Sequence, residues 1–251
     1  MTSSIAVLKF GSSVLRTPAD LPVAVAEIQR EARRGRRVIA VVSAYHGVTD
    51  QRFEQARLLG NDLHAQAAYV AKGEEESSTQ LATALLAHGS SARYLDADEI
   101  GLRAHGEPHD STPASVDEGR LAAELEAHAA LVIPGYVARD LQGHCVLLGR
   151  GGSDLTALFL AQRLAAQCRL LKDVDGVYES DPARASAARR YTRLTWATAL
   201  AVGGRIIQPR AVQFAQSNGV SFEVSAVGDD CGTTVGPGPD ELAPLRPALS
   251  A

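Results

Sequence analysis

Short apolar runs alternate with amphipathic helical patterns along most of this chain, and this alternation constrains the fold more than any other feature. The run Val38–Val42 is wholly apolar, which is typical of a strand that is covered on both faces in a parallel sheet. Strands that alternate with helices predict an α/β fold. We therefore expect a three-layer αβα sandwich with a mainly parallel central sheet.

The same patterns place the individual elements along the chain. Strands are predicted over residues 5–10, 37–43, 92–95, 130–136, 145–148, 169–174 and 220–224, the last of which should close the sheet. Helices are predicted over 17–32, which Thr17–Pro18 opens, and over 50–59, 75–87, 122–129, 154–165, 195–202 and 210–217, with Gly73–Glu74 opening the helix over 75–87. Residues 101–118 predict a loop or twisted hairpin near the substrate, and 236–247 predict a mobile tail without a regular element.

Composition excludes several classes of protein. The net charge of -4 and the isoelectric point near 6.0 argue against a nucleic-acid-binding surface. No near-continuous apolar segment reaches the ~20 residues that a membrane span requires, so we expect no membrane partner. The cysteines Cys145, Cys168 and Cys231 are too far apart for a disulfide framework or a zinc motif. A reducing, cytoplasmic location fits this cysteine usage best.

Five arginines cluster at positions 30, 33, 34, 36 and 37, at the end of the first predicted helix. Cations at a helix C-terminus complement the helix macrodipole. This cluster is therefore interpreted as a solvated helix end rather than a binding surface.

The most informative motif is Gly149–Ala157, in which a strand leads through a glycine-rich turn into a helix. This geometry presents backbone N–H groups to a phosphate or a carboxylate. Arg150 suits bidentate binding of a carboxylate. Ser153 or Asp154 could serve only as the helix N-cap. The turn nevertheless holds more polar groups than a cap requires, which favours a binding function.

Polar residues also follow two other predicted strands, and ligands in such folds bind beyond the carboxyl ends of strands. Lys9 ends the first strand and precedes Gly11–Ser13, a pattern that favours phosphate contact over a structural ion pair. Ser43 and Thr49 flank a turn after the second strand, where binding and ordinary turn chemistry are equally compatible with the sequence. For Glu74, the spacing alone favours a simple interaction with the helix dipole.

These motifs together resemble the amino-acid kinase family, and within it the catalytic domain of the aspartate kinases. The similar segments are 41–50, 134–136, 148–157, 173–178 with Asp181–Pro182, and Gly232–Thr233, and they cover roughly residues 5–235. The resemblance implies the amino-acid kinase fold, which carbamate kinase shares, and ATP-dependent phosphorylation of the aspartate side chain. It also implies a homodimer.

The resemblance implies a function for individual residues. Lys9 and Asp154 would be catalytic, with Lys9 at the transferring phosphoryl group and Asp154 organising Lys9 and the phosphates. Glu74 would bind the substrate ammonium group and Arg150 its α-carboxylate. Further substrate-binding residues would be Ser43, Thr49 and Ser153. The nucleotide would be bound by Lys9, Gly11, Ser12, Ser13, Lys172, Asp173, Tyr178, Asp181 and Arg205.

The cofactors implied are ATP and Mg²⁺, with the ion carried by ATP and no metal ligand supplied by protein side chains. The kinase domain would span residues 1–236, and 237–251 would be a Pro-rich flexible tail. Within the domain, residues 1–140 would form the amino-acid side and 141–236 the nucleotide side. Because aspartate kinases continue into ACT domains after the final motif, we expect no feedback regulation through such domains in this chain.

The sequence departs from the aspartate kinase pattern at several points. Ser12 replaces a glycine, so that the first motif is closer to glutamate 5-kinase, Lys172 replaces a threonine, and Arg205 replaces a lysine. The segment between Asp50 and Gly73 is also shorter than usual. Two alternatives therefore stay open: a kinase for glutamate or an acid of a specialised pathway, and a nucleotide-binding partner subunit with little catalysis.

Overall fold

The computed structural model describes residues 4–180, 188–202 and 206–244. The strands are β1 (Ile5–Phe10), β2 (Arg37–Val42), β3 (Ala92–Tyr94), β4 (Arg103–Glu107), β5 (Asp110–Ser115), β6 (Ala130–Pro134), β7 (Val137–Arg139), β8 (Cys145–Leu147), β9 (Gln167–Lys172), β10 (Tyr191–Thr195), β11 (Phe222–Ala226), β12 (Thr233–Gly236) and β13 (Glu241–Leu242). The helices are α1 (Leu21–Arg33), α2 (Val48–Leu59), α3 (Leu63–Ala87), α4 (Glu118–Ala127), α5 (Gly152–Arg163), α6 (Trp196–Val202) and α7 (Pro209–Ser217).

The central sheet has nine strands in the order β13-β10-β12-β11-β9-β1-β2-β6-β3. Pairing is parallel from β11 through β9, β1, β2 and β6 to β3, and antiparallel only where β12 meets β11 and β13 meets β10. The predicted mainly parallel sheet is therefore confirmed. The carboxyl ends of β1, β2 and β9 lie at one edge of it.

Side chains that alternate along the central strands enter two separate cores. In β1, Val7 packs in the core that includes α5, whereas Leu8 and Phe10 pack in the core that includes α1. Helix α3 contributes to both cores, with Val70 on one side and Leu85 on the other. An apolar layer on each face of one sheet is the arrangement that the unbroken apolar strands predict. The three-layer sandwich is confirmed.

Helix α3 begins earlier than predicted. It starts at Leu63, where Asp62 caps it by accepting a hydrogen bond from the backbone N–H of Ala65 at 2.9 Å. Gly73 therefore lies inside the helix, and the prediction that Gly73–Glu74 opens it is wrong. A Cβ at Gly73 would lie 3.0 Å from a methyl carbon of Val48. The glycine is thus explained by close packing of α3 against α2 and not by a helix start.

The prediction that residues 220–224 close the sheet is also wrong. Beyond β11 the sheet continues through β12, β10 and β13. Strand β10 has only one fully buried residue, Leu194, and β13 is just two residues long. Strands that are very short or partly exposed lack the apolar run by which the buried strands are recognised.

The stretch 236–247 was expected to hold no regular element, and this is wrong for residues 241–242. These residues form β13, which pairs antiparallel with β10. Just before it, Asp240 accepts hydrogen bonds from the backbone N–H of Thr195 at 2.6 Å and from the hydroxyl of Thr198 at 2.6 Å. This carboxylate thereby ties the segment to the chain at the start of α6.

A second sheet has the order β5-β4-β7-β8. Strands β4 and β5 form the hairpin that was predicted within residues 101–118. Residues 145–147 also form a strand as predicted, but β8 belongs to this second sheet and pairs antiparallel with β7. The glycine-rich turn therefore connects the second sheet to α5 on the face of the central sheet.

The arginine cluster at the end of α1 is not simply a solvated helix end. Arg30 pairs with Glu27 at 2.6 Å, and Arg34 and Arg36 pair with Glu31 at 2.9 and 2.5 Å. Both glutamates are buried, and a buried carboxylate without partners is costly, so the surrounding guanidinium groups supply the contacts they need. The buried carboxylates had been overlooked because acidic residues on a helix are ordinarily exposed.

The three cysteines are free, with Cys145 and Cys168 buried and Cys231 exposed. Among the residues that the structure describes, none of the helices combines the length and the apolar character needed to cross a membrane.

Candidate active site

A cleft of about 890 Å³ opens at the carboxyl ends of β1, β2 and β9. It is lined by loops that follow these strands and by the turn between β8 and α5. The predicted site residues on its wall are Lys9, Gly11, Ser12, Ser13, Ser43, Thr49, Glu74, Arg150, Ser153, Asp154, Lys172 and Asp173. Segments far apart in sequence thus meet where the parallel-strand rule predicts a ligand site.

Two lysines converge on one carboxylate in this cleft. Lys9 Nζ lies 2.8 Å from Oδ1 of Asp154, and Lys172 Nζ lies 3.0 Å from Oδ2 of the same residue. Burial opposes ionisation of Asp154, but the ammonium groups of Lys172 and Lys9 outweigh it and lower its pKa to about 2. Burial lowers the pKa of Lys172, and the adjacent Asp154 opposes that shift. Two lysine side chains thus share one carboxylate, an arrangement that suits an anionic ligand.

Sheet register explains why the two lysines meet. Lys9 in β1 pairs with Leu170 in β9, and Lys172 follows two residues later on the same face of that strand. This face is the one covered by α5, where Leu170 packs in the same core as residues of α5. Asp154, in the first turn of α5, is therefore held directly over both ammonium groups.

The first loop leaves room for the Lys9 side chain. A Cβ at Gly11 would lie 2.8 Å from Lys9 Nζ, closer than ordinary contact permits. After Gly11 the chain turns, with Ser13 exposed and Ser12 partly buried on the cleft wall. The absence of a side chain at Gly11 therefore keeps the ammonium group accessible from the cleft.

The glycine-rich turn has a left-handed backbone at Gly149 and Gly151, with φ of 69° and 79°. Gly151 is the N-cap of α5, so neither Ser153 nor Asp154 serves as the cap. Both side chains are instead buried beside the cleft. The helix N-terminus adds a partial positive charge to the same region.

Arg210 fixes this turn from outside the cleft, and sequence reasoning did not identify it. Its guanidinium donates to the carbonyl oxygens of Leu148 and Ser111, each at 2.8 Å, and also pairs with Asp110. It thereby joins α7 and the β4–β5 hairpin to the chain just before Gly149. In the sequence it was visible only as the first residue of the predicted helix 210–217.

Glu74 is a buried carboxylate on α3 that reaches the cleft. One oxygen accepts from the backbone N–H of Ala44 at 2.5 Å, and the other accepts from the Thr49 hydroxyl at 3.2 Å. Burial raises the pKa of Glu74 to about 8, although both hydrogen bonds and the charge of Lys9 act against the shift. The position of Glu74 thus supports a binding function, which its position in the sequence alone did not favour.

Arg150 differs from the other charged residues of the site. It is exposed on the cleft wall and forms no ion pair within the described residues. An arginine without a carboxylate partner retains its full hydrogen-bonding capacity for an anionic ligand. Ser43 directly precedes Ala44 on the same wall. Its carbonyl oxygen accepts a hydrogen bond of 2.8 Å from the hydroxyl of buried Ser77.

The predicted nucleotide-side residues are only partly brought together. Asp173 lines the cleft beside Lys172, whereas Tyr178 does not, and its hydroxyl donates to Asp175 at 2.9 Å. The Tyr178 hydroxyl is thus held at the turn 175–178. Asp181 and Arg205 lie outside the described residues. The cleft residues that lie outside the motifs singled out from the sequence are Phe53, Ile206 and Gln208. The remaining lining residues belong to those motifs but had no individual function assigned: Ala44, Tyr45, His46, Gly47, Asp50, Tyr136, Gly149, Gly151, Gly152 and Val174.

Comparison with known proteins gives the family. The model of the amino acid kinase family matches residues 4–224. An aspartokinase from Helicobacter pylori is 30% identical over 222 residues, which are 86% of this chain and 55% of that relative. The chain therefore spans about half the length of the curated relatives it matches.

Solved structures share the fold at lower identity. Aspartokinase III of E. coli, solved with lysine and aspartate, has a TM-score of 0.79 at 22% identity, over 93% of this chain and 65% of that one. UMP kinase from Bacillus anthracis has a TM-score of 0.70 at 17% identity, over 96% and 98%. The predicted fold and family are thus confirmed together. This chain belongs to the amino acid kinase family.

Proposed function

We propose that this chain transfers the γ-phosphoryl group of ATP to the side-chain carboxylate of L-aspartate, giving 4-phospho-L-aspartate. The observation that supports this best is the convergence of Lys9 and Lys172 on buried Asp154 in a cleft that also contains Glu74. The cleft has two chemically distinct parts. A cationic part suits phosphates, and a part with Glu74 and Arg150 suits the two charged groups of an amino acid.

In the amino-acid part, Glu74 binds the substrate ammonium group and Arg150 binds the α-carboxylate. Glu74 is supported in this function because it is buried and held by Ala44 and Thr49 at the cleft wall. Arg150 is supported because it has no ion pair within the described part of the chain. Ser43, Thr49 and Ser153 complete this part. The side chain of the substrate would then point toward Lys9.

In the nucleotide part, Lys9 and Lys172 neutralise the phosphates, and the segment Gly11–Ser13 donates backbone and hydroxyl hydrogen bonds to them. Asp173 lies on the same wall. Tyr178 acts indirectly by holding the turn 175–178 through Asp175. Asp181 and Arg205 remain in this proposal on the strength of the sequence motifs alone.

The mechanism depends on positioning and charge. The carboxylate nucleophile is ionised at neutral pH, so the site needs no general base. Lys9 stabilises the negative charge on the oxygens of the transferring group, and Asp154 keeps both lysine side chains in place. Because the two oxygens of Asp154 are engaged by ammonium groups, we propose that Mg²⁺ is held by phosphate oxygens and water. When bound, Mg²⁺ neutralises further phosphate charge.

The two parts of the cleft also suggest a division of the chain. Residues 1–140 would supply most of the amino-acid side and 141–236 most of the nucleotide side. The exceptions are Lys9 and Gly11–Ser13, which would contact phosphates, and Arg150 and Ser153, which would contact the amino acid. A homodimer is proposed on the family resemblance, and sedimentation velocity would test it.

The activity is tested by trapping the acyl phosphate as a hydroxamate. Purified protein is incubated with Mg-ATP, hydroxylamine and one acid at a time from a panel that includes aspartate and glutamate. We expect hydroxamate with aspartate. If another acid is turned over and aspartate is not, that acid replaces aspartate as the proposed substrate. The departure from the aspartate kinase pattern at Ser12, which lies on the cleft wall, is the reason to test other acids. ATP binding in calorimetry without turnover of any acid would indicate a partner subunit.

Arg150→Ala should raise KM for the amino acid about 10–100-fold and change kcat little. The substitution removes charge-assisted hydrogen bonds that are made in the ground state and the transition state alike. Steady-state kinetics with varied aspartate measures this effect. Arg57→Ala, on the exposed face of α2, is the matched control and should behave as the unaltered protein. An unchanged KM in Arg150→Ala would refute the assignment of Arg150 to the α-carboxylate.

A further inference from the structure

Three side chains meet on the surface away from the charged cluster in the cleft. His64 lies in the first turn of α3, and Asp140 and His144 lie in the turn between β7 and β8. His64 Nε2 and His144 Nδ1 each lie 3.2 Å from the same oxygen, Oδ2 of Asp140. One ligand atom from each of the three residues fits within a span of 4.8 Å. None of the three lines the cleft described above.

The carboxylate is aimed at the two imidazoles by its own turn. Oδ1 of Asp140 accepts from the backbone N–H groups of Gln142 at 2.9 Å and His144 at 2.8 Å. The backbone N–H of Asp140 also donates to the carbonyl of His144 at 3.0 Å, and Gly143 turns the chain with a φ of 89°. Oδ2 is therefore left to face the imidazoles. The turn holds this orientation without help from α3.

The other half of the cluster is equally fixed. His64 follows Leu63, the first residue of α3, and Asp62 anchors that helix start by capping the N–H of Ala65. The side chains are partly exposed, with 39% of His64, 16% of Asp140 and 58% of His144 accessible to solvent. An ion from solution can thus reach the cluster, and a water molecule can complete its coordination.

We propose that His64, Asp140 and His144 form a binding site for a divalent transition metal of the zinc type, with water as the fourth ligand. Zinc bonds of about 2.0–2.1 Å in a tetrahedron place neighbouring ligand atoms about 3.3 Å apart. The distances of 3.2 Å from Asp140 Oδ2 to each imidazole nitrogen match this spacing, and all three ligand atoms lie within 4.8 Å of one another. Two imidazoles and one carboxylate favour zinc, cobalt or nickel over magnesium or calcium, which prefer oxygen ligands.

A bound ion would connect two segments that both lead to the cleft. Helix α3 carries Glu74, and β8 continues directly into Gly149 and Arg150. Within the described residues, His64 and His144 are the only ion-pair partners of Asp140. The contact between Asp140 and His64 links the turn between β7 and β8 to helix α3. The metal would therefore stabilise the folded chain, since an ion that binds only the native state shifts the unfolding equilibrium.

The test uses the full chain after chelation and dialysis. Calorimetry with Zn²⁺ should give one ion per chain, and Co²⁺ should produce the visible absorption of a tetrahedral nitrogen–oxygen site. Excess Zn²⁺ at about 100 times Kd should raise the unfolding midpoint by about 5–10 °C. All three readouts are independent of kinase activity.

His64→Ala, His144→Ala and Asp140→Asn should each weaken Zn²⁺ binding at least about 10-fold and remove most of the midpoint shift. Asp140→Asn keeps a side-chain oxygen for the two backbone hydrogen bonds, so it separates loss of a metal ligand from loss of the turn. His105→Ala, at an exposed position on β4, is the matched control and should bind like the unaltered protein.

The proposal is overturned if the unaltered chain shows no stoichiometric Zn²⁺ binding and no tetrahedral Co²⁺ spectrum. That outcome would mean that the three side chains form only a hydrogen-bonded cluster. It is also overturned if binding persists unchanged in all three variants, which would place the ion elsewhere, for example at exposed Cys231. The Co²⁺ spectrum is recorded on the unaltered protein, so this test remains decisive even if a variant folds poorly.

Discussion

Lys9→Ala should lower kcat about 10²–10³-fold, with a smaller change in KM for the amino acid. The expected size is that seen when one preorganised electrostatic group is removed from around a charged transition state. Lys9 is buried and close to Asp154, so water cannot easily replace its ammonium group. Steady-state rates of hydroxamate formation with saturating Mg-ATP measure the loss.

Two further variants show whether the loss is specific to Lys9. Lys72→Ala removes an exposed lysine of α3 that pairs with Glu75, and it should leave kcat unchanged. Lys9→Arg retains the charge with a different shape and should recover only part of the rate. If Lys9→Ala kept full turnover while remaining folded, Lys172 alone would suffice for the phosphoryl group and Lys9 would be a structural partner of Asp154.

The sequence predicts the central layers well because they are buried on both faces. Strands such as β2 must be apolar along their whole length, and their helices must present one apolar stripe. The position of Lys9 at the end of β1 follows from the same reasoning, since parallel strands bring their carboxyl ends to one edge. The location of the charged cleft could therefore be predicted from the sequence, but the contacts between its side chains could not.

Contacts that depend on register or on distant segments could not be predicted. The meeting of Lys9 with Lys172 requires the pairing of β1 with β9, which nothing local to either strand specifies. The burial of Glu74 depends on how α3 packs against α2, and its sequence neighbours Glu75 and Glu76 favour an exposed helix face. Strands β10 and β13 were missed because partial exposure and shortness remove their apolar signal.

The second large effect should be seen with Glu74→Gln. At pH 8–9 this substitution should lower kcat/KM for the amino acid about 30–10³-fold, the range for removing one partner of a desolvated charge pair. The glutamine retains an oxygen that can accept from the backbone of Ala44, so the packing of α3 is preserved. Glu76→Gln, at an exposed position two residues along the same helix, is the matched control and should have no effect.

The pH dependence makes this prediction sharper. Because burial raises the pKa of Glu74 to about 8, the free protein holds this carboxyl mainly neutral at pH 6. Only the ionised form attracts an ammonium group, so kcat/KM should rise about tenfold per pH unit from pH 6 and level off above pH 8. Glu74→Gln should lack this rise, and the two proteins should converge at low pH. A constant ratio between them from pH 6 to pH 9 would contradict the assignment of Glu74 to the ammonium group.

The same group should affect folding in the opposite direction, which provides a check that needs no substrate. The pKa of Glu74 is about 8 in the folded protein and near 4.5 in the unfolded chain. A carboxyl with a raised pKa in the folded state contributes its full stabilisation below the unfolded pKa. This contribution is lost as the pH rises through the folded pKa. Glu74 alone should therefore lower the free energy of unfolding by about 1.4 kcal/mol per pH unit between pH 5 and 8. Denaturant unfolding of Glu74→Gln should show a correspondingly weaker dependence on pH. If both proteins instead lost stability equally over this range, Glu74 would be ionised throughout, and the rise in kcat/KM would have to come from another group.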